Sequence, residues 1–377
     1  MGSTQDHALG RNRAFFCKTE STYGTFAKPV GDDAAKVLNC SFDFKQERRN
    51  RMDSRAVRAH YERITGRKEV SWSVDSYLIP SGSGSTDPDL APLFKAAMGA
   101  SSSQVFSLTS GQALDSLTLV QHMNSVVMES VTGAYVDTMT ISMSGGDDPR
   151  VSFSGGASTH IHTSTSTTHG TGSSSDTLIV DDADAFEIGS VVKIGSSHNG
   201  GVGFEVTNKV GSTLTLGDTL SWADEVAVIP YTPDETVSGS PSPGITGSVT
   251  LAGNSGLEIV SFELSLVNNI KAISDEAFAS TVTDFIPGFR DVTGSLSVRC
   301  AKDQALEIGK RKGFSTRDLQ IVSGSGTGNV CTIDLDQVEF EFSALNVPES
   351  EEVIIDLPFR ALAQDAASND ELTITFS

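Results

Sequence analysis

The 377-residue sequence contains few cysteines, and none of them forms a Cys-x-x-Cys pair. The four cysteines lie far apart, at Cys17, Cys40, Cys300 and Cys331. This spacing excludes the common zinc-binding arrangements and a disulfide framework, and it favours synthesis in a reducing compartment. No segment approaches the ~20 apolar residues of a membrane span, so we expect no membrane contact. The first residues also lack a basic stretch followed by an apolar one, so we do not expect Sec export.

Cations are scarce as well, with 27 Lys and Arg against 48 Asp and Glu, a formal net charge of −21. A surface of this charge repels nucleic acid at the level of the whole molecule, because affinity for DNA depends largely on neutralised phosphates. Solubility alone explains the acidity equally well.

Catalytic motifs are missing too. The sequence has no G-x-x-x-x-G-K-[ST] and no H-E-x-x-H, and the Ser-Gly runs at 81–85 and 323–328 lack the G-x-S-x-G register. Paired acidic residues such as Asp147 and Asp148 occur where Asp caps turns. We therefore expect no enzyme, no catalytic residues and no cofactor.

Three histidines form the only suggestion of a metal site. His160 and His162 would point the same way on a strand, with His169 nearby in sequence. The surrounding residues, 154–175, have the Ser, Thr and Gly composition of a flexible linker. A polar linker is the better interpretation, so no metal ligands are predicted.

Glycine is abundant, at 35 residues, and Ser and Thr are frequent, which is typical of short strands joined by tight turns. The 38% of hydrophobic residues is ordinary for a globular protein. The predicted fold class is mainly β (α+β), with alternation of Val70, Trp72 and Val74 defining a strand. A helix is predicted to open at Asp87-Pro88-Asp89 and to end at Gly99.

The most informative feature is a repeat about 220 residues apart. Three pairs of segments match: 41–44 with 261–264, 66–74 with 288–296, and 147–153 with 370–376. The predicted domains are a first copy (1–155), linkers with an inserted small β domain (156–243, core 176–232), and a second copy (244–377). Each copy is expected to be a β-sandwich with one flanking helix, the second helix at 301–312. Repeated units build repeated surfaces, which favours assembly over catalysis.

A basic tract from Lys45 to Lys68 stands out in this acidic chain, with nine Lys or Arg against three acidic residues. We predict a docking arm formed by its cations: Arg48, Arg49, Arg51, Arg55, Arg58, Arg63, Arg67 and Lys68. The equivalent second-copy arm carries Lys271, Asp275, Glu276 and Asp284. Opposite charge in the two arms favours docking between protein subunits. A solvated loop and a nucleic-acid site remain alternatives.

The chain resembles the major tail tube proteins of long-tailed, non-contractile bacteriophages (siphophages). The resemblance lies in residues 15–25, 48–68, 246–299, 353–362 and 369–375. It implies two packed antiparallel sheets and one flanking helix per copy, and no catalytic residues. It also implies rings joined at sheet edges and stacked into a tube, with long loops reaching the next ring and a channel for double-stranded DNA.

The resemblance further implies a virion tail protein, assembled in the bacterial cytoplasm with tape measure, terminator and distal tail proteins as partners. Family members usually carry one tube domain and form six-fold rings. Two copies in one chain therefore predict a trimer with pseudo-six-fold symmetry, whose inserted module projects outward. The alternative function is a surface or secreted adhesin whose inserted module binds glycans.

Overall fold

The computed structural model describes residues 12–51, 63–111, 113–253, 255, 257–274, 280–300, 316–341, 352–365 and 368–377. The predicted helix at 301–312 lies outside these residues. Strands dominate, and the mainly β prediction is confirmed. The single α-helix of the described ranges, α1, spans Ala91–Met98.

The first part of the chain contains strands β1 to β11. Their bounds are β1 Arg13–Thr19, β2 Ala34–Ala35, β3 Asn39–Asn50, β4 Arg63–Tyr77, β5 Gly99–Ser102, β6 Val105–Leu108, β7 Leu117–Met123, β8 Val127–Ala134, β9 Thr138–Ser144, β10 Arg150–Ala157 and β11 Thr159–Thr163.

The middle and last parts contain strands β12 to β26. Their bounds are β12 Ser166–Thr167, β13 Gly172–Ile179, β14 Val191–Ile194, β15 Phe204–Val210, β16 Thr213–Trp222, β17 Ala227–Pro230, β18 Gly247–Leu251, β19 Ile259–Val267, β20 Lys271–Ile273, β21 Asp284–Ile286, β22 Asp291–Arg299, β23 Arg317–Gly324, β24 Val330–Phe340, β25 Ile354–Ala361 and β26 Thr373–Phe376.

The same five strand pairings occur in the first and last parts. In the first, β3 pairs with β4, β4 with β10, β1 with β7, β7 with β8 and β8 with β11. In the last, β19 pairs with β22, β22 with β25, β18 with β23, β23 with β24 and β24 with β26. By these pairings β3 corresponds to β19, β10 to β25 and β11 to β26.

One part of the predicted repeat is therefore wrong. Residues 147–153 were matched with 370–376, but β10 pairs with β4 whereas β26 pairs with β24, as β11 pairs with β8. Both strands bury alternate apolar residues, Val151 and Phe153 in one, Ile374 and Phe376 in the other. Because any strand with one buried face shows this alternation, the pattern did not distinguish them.

The helix begins later than predicted. Residues 88–90 form a turn, and Pro92 rather than Pro88 occupies the first helical turn, where its missing N–H costs nothing. Leu93, Phe94 and Ala97 are buried, as the spacing predicts. Gly99 ends the helix with φ of 96°, a left-handed conformation that favours glycine.

Both repeats contribute to one continuous hydrophobic core. Phe94 of α1 lies near its centre, and its ring centroid is 5.5 Å from that of Phe106, 5.2 Å from Phe153 and 5.4 Å from Phe376. Phe376 belongs to the last strand of the chain, so this aromatic cluster connects the first part with the last. Burial of large rings is the main stabilising contribution of such a cluster.

The inserted module has a separate hydrophobic core around Phe186 and Phe204. Its strands follow the order β12-β17-β14-β15-β16-β13. A bridge between Thr168, after β12, and Val180, after β13, joins the first and last strands of this order. The small β structure predicted for this part of the chain is present, with strands β12 to β17.

The segment predicted as a flexible linker, 154–175, is instead structured. β11 pairs with β8, and its alternate residues Ile161 and Thr163 are buried. Composition suggested a linker because Ser, Thr and His dominate here. The Thr-x-Ile-x-Thr alternation from Thr159 to Thr163 is nevertheless typical of a half-buried strand.

A buried carboxylate fixes the loop after β1. Glu20 is 8% exposed, and its oxygens accept hydrogen bonds from the Ser116 and Thr118 hydroxyls and from the Gly24 and Gly133 amides, at 2.8–2.9 Å. Four donors satisfy the carboxylate, so its burial does not leave an unpaired charge. The loop is thereby attached to β7 and β8.

The segment that returns from the inserted module crosses the outer face of the first part. Thr232 Oγ1 lies 3.1 Å from Nδ1 of His122, and Val237 packs against Phe16 and Val120. His122 is 1% exposed, and desolvation lowers its pKa from 6.5 to about 3. The folded protein therefore holds this imidazole neutral.

Acid should destabilise the fold through His122. Below its unfolded pKa of 6.5 the unfolded chain binds a proton that the folded chain refuses until about pH 3. Between pH 7 and pH 5 this group should remove about 2 kcal/mol of unfolding free energy. The variant H122Q has no titratable group at this position. We expect its unfolding free energy, measured by urea denaturation, to fall by about 2 kcal/mol less than that of the wild type over the same pH range. An equal loss in both proteins would contradict this assignment.

Candidate assembly surface

Seven strands present one continuous polar face. They are β3, β4, β10, β9, β19, β22 and β25, each paired with the next. Their registers place hydroxyl side chains in rows across the sheet: Ser41, Ser73, Thr138, Thr140, Ser142, Ser144, Ser152, Ser154, Ser261, Ser265, Thr293, Ser295 and Ser297. We call this surface the hydroxyl face. None of these residues is buried.

The other side of the same strands faces the core. One row across the sheet contains Val74, Phe153, Met139, Leu266 and Val292, all buried. Alternation of apolar and hydroxyl residues in every strand therefore produces two distinct faces, since successive side chains point to opposite sides.

The hydroxyl face has little free positive charge. It carries six carboxylates and four cations, namely Asp43, Glu69, Asp75, Glu263, Asp291 and Asp356 with Lys45, Arg150, Arg299 and Arg360. Three cations form ion pairs: Lys45 with Asp43 at 2.7 Å, Arg299 with Glu352 at 3.0 Å, and Arg360 with Asp291 at 3.5 Å. The fourth, Arg150, lies over the ring of Tyr77. A polyanion would find few unpaired cations here.

The two repeats meet edge to edge within the chain. β9 of the first pairs with β19 of the second over seven residue pairs, from Ser144↔Ser261 to Thr138↔Val267. On the core side this pairing places Ile141 opposite Leu264. We call this junction the internal seam. It makes the hydroxyl face continuous from one repeat to the next.

A second layer of contacts crosses the same seam. β26 of the second repeat pairs with β6 of the first. Beside it, the guanidinium of Arg290 donates to the Glu371 carboxylate at 2.8–3.2 Å, to the Thr109 carbonyl at 2.6 Å and to Asn369 Oδ1 at 2.9 Å. Arg290 and Glu371 both belong to the second repeat and are mostly buried, so their bidentate pair orients the guanidinium. The bond from Arg290 to the Thr109 carbonyl is the one that crosses to the first repeat.

One end of the sheet is left open. β3 pairs with β4 on one side and with no strand of the described chain on the other. Phe44, in the middle of β3, is 41% exposed. Exposed backbone groups and an exposed aromatic residue on an edge strand are features of an association surface.

The predicted basic arm is a two-stranded ribbon. β3 and β4 extend beyond the core, with Arg49 opposite Ile64 and Asn50 opposite Arg63. Arg48, Arg49, Arg51, Arg63 and Lys68 are exposed and Arg67 is half-buried, whereas Arg55 and Arg58 lie outside the described residues.

The described cations of the ribbon differ in their partners. Arg49 donates to Glu47 at 2.7 and 2.8 Å, and this hydrogen bonding lowers the pKa of the Glu47 carboxyl. Lys68 lies over the Phe44 ring. Arg48 and Arg63 have no acidic partner within the described part of the chain. Exposed cations at the end of a ribbon are available to a partner.

The second-copy arm takes a different course. Lys271 and Asp284 lie on the hairpin of β20 and β21, while Asp275 and Glu276 lie outside the described residues. The hairpin packs on the first repeat: the Phe285 ring is 5.1 Å from Tyr135, Ser158 Oγ donates to Val282 O at 2.6 Å, and the Lys68 amide donates to Ser280 O at 2.9 Å. This arm is bound within the chain.

Each of the three histidines has a different partner. His160 stacks on Phe44, His162 lies 3.8 Å from Glu129, and His169 lies 3.1 Å from Asp181. Burial lowers the pKa of His160. In the described ranges no three His, Cys, Asp or Glu side chains form a metal-binding group. No helix among those residues is long and apolar enough to cross a bilayer.

A hydroxyl face, an internal edge-to-edge seam and an open edge therefore occur in one sheet. The sequence model described as phage tail tube protein matches residues 10–361. The chain belongs to the phage tail tube protein family. The family is structural rather than enzymatic and functions in the virion tail. No curated protein matches the chain.

The hydroxyl face is not among the surfaces predicted from the sequence. Its signal was present: Thr138, Thr140, Ser142 and Ser144 alternate with apolar residues along β9. Alternation of Ser or Thr with apolar residues in several strands would have indicated a sheet with an uncharged polar side.

Proposed function

We propose that three chains form each ring of the tail tube, and that each chain contributes two tube domains, 1–155 and 244–377. The observation that carries this proposal is the internal seam. In this seam two repeats are joined through paired sheet edges and share one hydroxyl face. Neighbouring domains of a ring would be joined in the same way. In this proposal the tube belongs to a long, non-contractile tail.

The open edge of β3 supplies the contact between chains. β3 corresponds to β19, whose outer edge pairs with β9 in the internal seam. By the same relation β3 of one chain pairs with the second repeat of the next chain. Every edge is then paired, which removes the hazard of uncontrolled association, and closure of the ring sets the number of chains.

Strand geometry favours three chains over six. Three chains with eight described inner strands each, the end of β24 that pairs with β25 being the eighth, give 24 strands. At ~4.8 Å per strand the circumference is roughly 115 Å, and the diameter between backbones is about 37 Å before strand tilt widens it. Six chains would double this diameter and leave an opening far wider than a sheet-lined tube for one duplex needs.

The hydroxyl face lines the channel in this arrangement, and the genome passes along it as double-stranded DNA. Hydroxyl groups keep the wall hydrated, and the excess of carboxylates prevents phosphates from binding. The pairing of Lys45, Arg299 and Arg360 with carboxylates supports this role, because the carboxylate beside each cation repels an approaching phosphate.

The basic ribbon reaches the next ring in this proposal, and tape measure, terminator and distal tail proteins complete the tail. Because the other arm is bound within the chain, each chain offers one projecting ribbon, three per ring. An adhesin function is not favoured by the family match.

Reversing the charge of the ribbon should stop the tube from growing. We expect R48E/R49E/R51E to fold and form rings but not tubes of normal length, because these exposed side chains contribute little to the core. Tube length by negative-stain microscopy is the measurement, with thermal melting as the check on folding. The lysine variant R48K/R49K/R51K keeps the charge and should elongate. Normal tubes from the glutamate variant would contradict the docking role.

Adding cations to the hydroxyl face should slow DNA release. Thr140 and Ser265 face each other across the internal seam. We expect phages carrying T140K/S265K to eject DNA several-fold more slowly than wild type at low salt, and at a similar rate at high salt, since phosphate binding is screened. The neutral variant T140Q/S265Q is the control. Equal low-salt rates in particles with intact tails would show that this face does not line the channel.

A further inference from the structure

The internal seam and the seam between chains cannot be identical. In the internal seam the outer edge of β26 is paired with β6. β11 is the counterpart of β26, because each pairs with the corresponding strand of its own repeat. A second seam of the same kind would therefore place a neighbouring strand along β11.

The inserted module already occupies that position. The His162 amide donates to the Glu187 carboxylate at 2.7 Å, and the Ser164 amide donates to the Ala185 carbonyl at 2.7 Å. The Thr163 hydroxyl donates to Ser190 Oγ at 2.7 Å. We call residues 185–190 the covering segment. Residues of the covering segment accept hydrogen bonds from backbone N–H groups of 162 and 164 that do not bond to β8.

The covering segment packs closely on β11 and turns one apolar side chain away from it. A Cβ atom at Gly189 would lie 2.7 Å from Ile161 Cδ1, so there is no room between them. Ile188, between the residues that contact β11, is 59% exposed. Ile188 lies where a neighbouring chain would pack in the ring, and contact there would remove its apolar surface from water.

We propose that the covering segment, with Ile188 at its centre, is an interface between chains, and that its partner is the second repeat of the neighbouring copy of this chain. The proposal rests on the proposed function, because it requires rings. In place of strand β6, the module forms the outer layer of the seam between chains. It is then part of the wall and not a free decoration.

This arrangement has a consequence for assembly. With β11 covered, its edge is not available to strands of other chains, as protected edges generally are not. The two kinds of seam differ in their outer layer, so a first repeat joins only a second repeat. Alternation of repeats around the ring follows from this difference.

Cysteine labelling tests the proposal directly. Cys17, Cys40 and Cys331 are buried, so C300S removes the one exposed thiol. In that background we expect I188C to react readily with a maleimide in free chains and at least tenfold more slowly in assembled tubes. The control is V210C, at another exposed apolar position of the module, which should react equally in both states.

The outcomes separate the two proposals. Tubes in which I188C stays as reactive as in free chains would overturn the interface while leaving the proposed function intact. A chain that forms no rings under any assembly condition would overturn the proposed function and the interface with it. As a second readout, I188D should fold but raise the protein concentration needed for assembly at least tenfold, and V210D should not. Unchanged assembly of I188D would also refute the interface.

Discussion

Backbone pairing between β9 and β19 is the contact on which the rest of the structure depends. It joins strands of both repeats into one 13-stranded sheet. Seven of these strands carry core residues on one side and the hydroxyl face on the other. Backbone hydrogen bonds between edge strands are specific in direction and register, so a single seam determines how a second must be built.

The two parts of the chain that share five strand pairings differ in their arms. The first repeat keeps a projecting basic ribbon, while the corresponding hairpin of the second is packed against Tyr135 and Ser158. Arg290 of the second repeat, oriented by Glu371, donates to the Thr109 carbonyl of the first repeat. Identical subunits cannot divide roles in this way, because every copy must then present the same surfaces.

Much of the fold followed from pattern alone. Alternation predicted β4, the abundance of Gly, Ser and Thr predicted short strands joined by tight turns, and the repeat predicted an assembly protein. The sequence pattern did not predict contacts between residues that are distant in the sequence. The carboxylate of Glu20 is buried only because Ser116, Thr118 and Gly133 approach it after folding. The hydroxyl face likewise exists only once seven strands are in register.

The most direct test of this account is the symmetry of one ring. Electron cryomicroscopy of tubes, or end-on class averages, counts chains per ring and shows whether the inserted module recurs at every repeat or at alternate ones. We expect each ring to contain three chains, six inner-wall repeats and three modules at alternate seams. Six whole chains per ring, with a module at six equivalent positions, would contradict it.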